Sequence, residues 1–270
     1  MASSLLEPDL EGILSTAFPT TTEVLVVDPS VDTIASIADV DPDRESIPRL
    51  LLLADEDALK DALSTFPIAS TIAEFVDREA LSLRTLESPA ENALFVSDDR
   101  VLAVVDVADR TAALSSDDGE FVDAVASSYR KRFEEATAYR LRTPAIGQVR
   151  ETMADALGED VRDDFDAILD AVAGGDGDAD VLDAVTIALL VAARNEVLLY
   201  DLSKWGEDVG IASKATFSRT KTDLEDDGVI DTEKVPIDVG RPRLRLKLGD
   251  DRLADLPADR FAAAASDVLG

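Results

Sequence analysis

Cysteine and histidine are both missing from the chain. Without thiols there is no disulfide, no thiolate nucleophile and no cysteine-based zinc site. Without imidazole there is no histidine general base and no histidine metal ligand. Most familiar hydrolase and metalloenzyme constellations are excluded on that ground; magnesium held by carboxylates alone is not. Aromatic residues make up only 5% of the chain, so Ala, Val, Leu and Ile must build the core. No apolar run approaches the roughly 18–20 residues that a membrane span needs. The first residues lack the basic-then-apolar pattern of a signal peptide. A cytoplasmic protein with no membrane partner is expected. Positive charge is the last shortage: 26 basic residues face 57 acidic ones, for a formal net charge of −31.

The acids that are present do not form a tail. They are spread among periodic apolar residues along 270 positions, 46% of which are apolar. That suits a folded protein of one large or two ordinary domains. A surface saturated with carboxylates also suits a cytoplasm very rich in salt, where repulsion is screened over a few ångströms. Such a surface should avoid DNA, so any local relief from the acidity is informative.

Residues 23–28 (EVLVVD) and 49–54 (RLLLLA) are continuous apolar runs of strand length. Such runs are usual for strands buried on both faces of a parallel sheet. Helical patterns follow them over 31–38 and 56–78, which is βαβ order. Shorter strands are expected over 81–86, 93–96, 101–106 and 111–114, with Ser97, Asp98 and Asp99 as a hairpin turn. A long helix is expected over 119–139, with Arg130, Lys131 and Arg132 in the half where cations suit the helix dipole. One or two connecting helices fill 144–173, and a Gly/Asp-rich break follows at 174–178. The expected fold class is an α/β N-terminal domain, a mixed sheet with flanking helices, plus a C-terminal winged helix-turn-helix domain. Its divisions are a sensor or dimerisation domain over 1–143 and a helical connector over 144–180. A DNA-binding domain follows over 181–250, then a last helix over 251–270.

The C-terminal assignment rests on four features. Residues 181–196 are a strongly apolar helix. Residues 201–209 (DLSKWGEDV) place Leu202, Trp205 and Val209 at helical spacing, and Gly210 permits a left-handed turn. The next helix, 213–227, has Ser213 as N-cap, Gly228 as terminator, and Phe217 and Leu224 facing inward. Two strands then surround Gly240 and Pro242, forming a wing over 236–245. Helix, turn, helix, β-hairpin is the winged helix-turn-helix order. Charge points the same way. Residues 181–250 hold 10 basic and 13 acidic residues, a net of −3, whereas the rest hold 16 and 44. Within the domain, 211–222 and 239–249 carry seven cations and no acid.

The expected partner is therefore double-stranded DNA. The expected contacts are Lys204, Ser213, Lys214, Thr216, Ser218, Arg219, Lys221, Thr222, Arg241, Arg243 and Arg245. Lys221 lies near the Phe217–Leu224 face, so its stem is expected to pack while its head reaches phosphate. Alternation along 243–248 turns the leucines inward and Arg243, Arg245 and Lys247 outward. In the N-terminal domain, ligands of open α/β sheets bind beyond the carboxyl ends of strands. Asp28, Ser30, Asp55 and Asp106 stand there as speculative contacts for a small-molecule metabolite effector. No glycine-rich phosphate loop accompanies them. No catalytic residue, metal ligand or cofactor is assigned. The alternative function is a winged-helix protein-interaction module with a metabolite-binding or carboxylate-dependent enzymatic N-terminal domain.

Ser213, Thr216, Phe217, Ser218, Arg219, Leu224, Glu225, Gly228, Val229 and Ile230 together form the recognition-helix pattern of many archaeal winged-helix regulators. With the acidic composition and the preceding α/β domain, the chain resembles the haloarchaeal TbsP regulators, relatives of the TrmB-like group. The resemblance implies a dimeric, non-enzymatic regulator of sugar and central carbon genes. TrmB-like proteins usually place the winged helix first; here it comes last, and no sugar-binding residues are carried over. The related phospholipase-D-like sheet uses a His-Lys pair, which a chain without histidine cannot supply.

Overall fold

The computed structural model describes residues 3–5, 10–40, 47–107, 110–174, 182–236, 242–254 and 256–269. It divides into two compact units. One holds residues 1–64 and 71–141; the other holds 65–70 and 142–270.

The first unit is a mixed sheet with helices. Its elements are β1 (Ser3–Leu5), α1 (Leu10–Ala17), β2 (Glu23–Val27), α2 (Val31–Ala35), β3 (Arg49–Ala54), α3 (Glu56–Ala62), most of α4 (Phe66–Asp77), β4 (Leu81–Thr85), β5 (Ala93–Val96), β6 (Val101–Val107), β7 (Arg110–Ser116) and α5 (Gly119–Glu135). The strand order is β1-β7-β6-β5-β2-β3-β4. Strands β2, β3 and β4 run parallel, with Leu25 opposite Leu51 and Leu51 opposite Ser82. The other neighbours are antiparallel. Leu25, Val27, Leu51 and Leu53 pack with Val122, Ala126 and Phe133 of α5. The alternate residues Val24, Val26, Leu50 and Leu52 are also buried. Both faces are therefore covered, which is why these strands read as unbroken apolar runs.

Three local differences from the sequence reading have physical causes. The helix expected over 56–78 is two helices. Pro67 sits in the first turn of α4, where a missing N–H costs nothing, and its ring cannot continue α3. The helix expected to reach 139 ends at Glu135. Beyond it, Thr137 accepts from the Thr85 N–H and the Tyr139 N–H donates to Leu83, so the chain covers the edge of β4. Strand β1, far from β7 in sequence, carries too short a pattern to be read alone.

The second unit contains α6 (Ile146–Leu157), α7 (Glu159–Ala173), α8 (Ala184–Arg194), α9 (Leu199–Val209), α10 (Lys214–Asp226), β8 (Ile230–Val235), β9 (Arg243–Leu248), α11 (Asp251–Ala254) and α12 (Ala258–Leu269). Helix α8 is buried on every side from Val185 to Ala193, as a helix apolar all round must be. One core joins it to Phe165 of α7, Trp205 of α9, Phe217 of α10, Leu246 of β9 and Phe261 of α12. Arg194 fastens the end of α8. It pairs with Asp164 at 3.0 Å, donates to the Leu256 carbonyl at 2.7 Å and lies over the Phe261 ring.

Candidate nucleic-acid interface

The geometry of α9 and α10 follows from three small residues. Gly210 ends α9 in the left-handed region at φ 92°, and its N–H reaches back to the Gly206 carbonyl. Ser213 then caps α10, its hydroxyl accepting from the Thr216 N–H at 3.2 Å. Gly206 lets the helices touch: a Cβ built there would lie 2.3 Å from the Phe217 ring, which is fully buried. Gly228 follows the C-cap of α10 at φ 74°. The hairpin follows, with Ile230 opposite Leu248 and Val235 opposite Arg243. Leu198 bridges to Arg245 on its other side, and the Leu246 N–H donates to Val197. The wing is thus tied to the start of α9 rather than standing free.

Phe217, Lys221 and Leu224 mark the buried side of α10. Helical periodicity of about 100° per residue puts Ala215, Ser218, Arg219 and Thr222 on the opposite side, and all four are exposed. Arg219 forms no ion pair among the described residues. The Thr222 hydroxyl donates back to the Ser218 carbonyl at 3.0 Å. Thr216 is half-buried beside the cap, its hydroxyl 3.0 Å from that of Ser213.

Five further cations around this face carry carboxylate partners. Lys214 pairs with Glu207 at 2.8 Å, Lys204 with Asp208, Arg243 with Asp201 at 3.4 Å, Arg245 with Glu196 at 3.7 Å and Lys247 with Glu233 at 2.8 Å. Arg243 also lies over the Tyr200 ring, 4.5 Å from its centroid. These pairs are at least a third exposed, where solvent screens an ion pair strongly, so phosphate can replace the carboxylate at small cost. Lys221 is different: it is 9% exposed and its ammonium is bonded to Glu225. Its head is turned to Glu225 rather than outward, so a phosphate contact would first have to break that half-buried pair. Arg241 lies outside the described residues.

Glu207 holds a special place. Its carboxylate accepts from the Lys214 backbone N–H at 3.3 Å and from the Lys214 ammonium. A carboxylate thus occupies the helix N-terminus, the place where helices commonly receive a phosphate. Both Lys214 bonds lower the Glu207 pKa from its ordinary value, and Glu207 raises that of Lys214. A lowered carboxylate pKa means the pair is fully formed above the ordinary glutamate range. It is lost only as pH falls through the lowered value. Asp208 and Glu233 are lowered in the same way by Lys204 and Lys247.

Sequence reading missed Tyr200, Ala215 and the carboxylates that hold the cations. Ala215 carries no charge to attract notice. Tyr200 is an exposed aromatic, 49% accessible, next to a cation that only the fold brings near.

The speculative effector residues have other duties. Asp28 adopts φ 48° and accepts from the Ala90 N–H at 2.7 Å. Ser30 caps α2 through the Thr33 N–H, and Asp55 caps α3 through those of Asp57 and Ala58. Asp106 lies in β6 opposite Thr111. The geometry of the first three is that of turn and cap residues rather than of a ligand cradle.

A helix-turn-helix with its last helix exposed along one side, followed by a two-stranded wing, defines the winged-helix class that docks on duplex DNA. Within that class the chain belongs to the TbsP-like transcriptional regulators. Residues 2–144 match the family's N-terminal region, "Transcriptional regulator TbsP-like, N-terminal", and residues 145–266 match "Transcriptional regulator TbsP-like, C-terminal HTH domain". No curated protein matches the chain. Among solved structures, the chain is similar over 51% of its length to TrmBL2, an archaeal chromatin protein described as showing a novel mode of DNA binding. That match has 15% identity and a TM-score of 0.34, and it covers 54% of the TrmBL2 chain. It is also similar over 52% of its length to Nuc, a phospholipase D family member from Salmonella typhimurium, with 12% identity and a TM-score of 0.35. That match covers 99% of the Nuc chain. No helix among the described residues is long and apolar enough to cross a membrane.

Proposed function

We propose that this DNA-binding regulator reads a specific operator by laying α10 in the major groove, with the wing on the flanking backbone. The observation that carries the reading is the outer face of α10. Ser218, Arg219 and Thr222 stand exposed there beside the Ala215 methyl, a set able to meet base edges and a thymine methyl. Lys204, Ser213, Lys214, Thr216, Arg243 and Arg245 surround that face as phosphate contacts. Arg241, outside the described residues, is included as a further phosphate contact. The protein acts as a homodimer on two half-sites about 34–36 Å apart. The first unit serves as sensor or dimerisation platform, and the controlled genes belong to sugar and central carbon metabolism.

Genomic occupancy with and without a sugar carbon source tests the targets and supplies the operator. On that operator Arg219→Ala is expected to weaken binding by about 1–3 kcal/mol and to relax specificity at one base position. Arg241→Ala is expected to weaken all duplexes evenly. Wild-type affinity in the Arg219 variant would move the interface elsewhere.

Glu207 yields a prediction of opposite sign. Glu207→Gln is expected to tighten DNA binding at every salt concentration with little change in the logarithmic salt slope, because Lys214 meets a phosphate in both proteins but in the variant leaves no carboxylate to do so. Fluorescence anisotropy across a salt series reads both quantities. Unchanged affinity would mean that Lys214 does not leave Glu207 for a phosphate.

A further inference from the structure

A second site lies in the first unit, away from α10. At the carboxyl ends of parallel strands β3 and β4, a cavity of about 170 Å³ is lined by Leu53, Thr85, Leu86, Glu87, Ser88, Arg132, Glu135 and Ala136. The crevice beyond the carboxyl ends of parallel strands is where open α/β sheets take ligands. Arg132 is half-buried and forms no ion pair among the described residues, in a chain with more than twice as many acids as bases. Its guanidinium is held in place rather than neutralised: Nη2 donates to the Ser88 carbonyl at 3.2 Å, and the group lies 5.2 Å from the Tyr129 ring centroid. That leaves most of its five donors for an anion. Glu135 stands one helical turn on and lines the same cavity. It pairs with Lys131 only at a loose 3.9 Å. The floor is apolar, since Leu53 and Leu86 are buried.

We propose that this cavity binds a small aliphatic α-amino acid. The carboxylate pairs with Arg132, the ammonium pairs with Glu135, and the side chain lies on Leu53 and Leu86. Arg132 and Glu135 on a single wall, unbonded to each other above an apolar floor and with Glu87 at the rim, complement a zwitterion better than a plain anion, which would face two carboxylates. A plain anion would meet the Glu135 charge and the negative end of α5. The volume lies below the roughly 300–1,000 Å³ of pockets for larger ligands, which restricts the occupant to a small molecule. The capping side chains Asp28, Ser30 and Asp55 take no part.

Calorimetric titration of the full-length protein with L-valine tests this, with isovalerate and isobutylamine as probes lacking the ammonium or the carboxylate. L-valine is expected to bind saturably with one site per chain, and each half-probe at least about tenfold more weakly. Arg132→Gln and Glu135→Gln are each expected to weaken L-valine by about 10- to 100-fold. Glu135 is exposed, so its variant should unfold at the wild-type temperature, which separates lost binding from lost folding. Absence of saturable binding would overturn the proposal. So would isovalerate binding as tightly as L-valine, or full L-valine affinity in the Glu135 variant. The measurement needs no DNA, so its outcome is independent of the operator reading.

Discussion

Phe217→Ala is expected to destabilise the second unit by about 3–5 kcal/mol, the range for truncating a buried aromatic. The ring is fully buried and lies between α10 and Gly206 of α9. Its loss leaves a cavity that α9 cannot fill without moving, because Trp205 on the same helix is held by its indole N–H to the Thr152 hydroxyl at 3.0 Å. A typical domain has only about 5–15 kcal/mol in hand, so much of the unit's stability disappears. Urea unfolding followed by circular dichroism and by fluorescence of Trp205, the chain's single tryptophan, reads the shift. A loss below about 1 kcal/mol would show that the α9–α10 contact is not packed as described.

The second large effect comes from the other side of the same contact. Gly206→Val is expected to cost about 3 kcal/mol or more, at or above the usual range for overpacking. Even a Cβ would sit 2.3 and 2.4 Å from two ring carbons of Phe217. Two further methyl groups must displace the ring or separate the helices. Operator affinity should fall further than after Arg219→Ala, since all contacts on α10 shift together. The double variant Gly206→Val with Phe217→Ala is expected to lose less than the sum of the single losses, because the valine occupies space the ring vacates. Additive losses would mean that the two residues do not share one contact.

Several parts of this architecture were legible from local chemistry. Ser213, Gly210 and Gly228 mark helix ends because capping and positive φ depend on one residue and its near neighbours. The leucines of 243–248 alternate with Arg243, Arg245 and Lys247 because strand geometry enforces a period of two. Counting charge by segment was less informative. Residues 211–222 contain no acid, yet Glu225 lies one turn beyond Lys221 and takes its ammonium. Spacing of four on a helix carried that signal, and a window that stopped at 222 hid it. Glu207, seven residues before Lys214, comes within reach only because Gly210 reverses the chain.

By itself the sequence determined most of the order of elements, the two-faced burial of β2 and β3, the helix-turn-helix with its wing, and the chemical exclusions that follow from lacking histidine and cysteine. These depend on periodicity, caps and composition, all short-range. Tertiary structure alone decided which charges neutralise which. Arg243 meets Asp201, Arg245 meets Glu196, and Arg132 is left without a carboxylate among the described residues. It also placed α7, α8 and α12 in one core with the winged helix. Such pairings join residues tens of positions apart, and no local rule ranks one of 57 acids over another until the chain has closed around them.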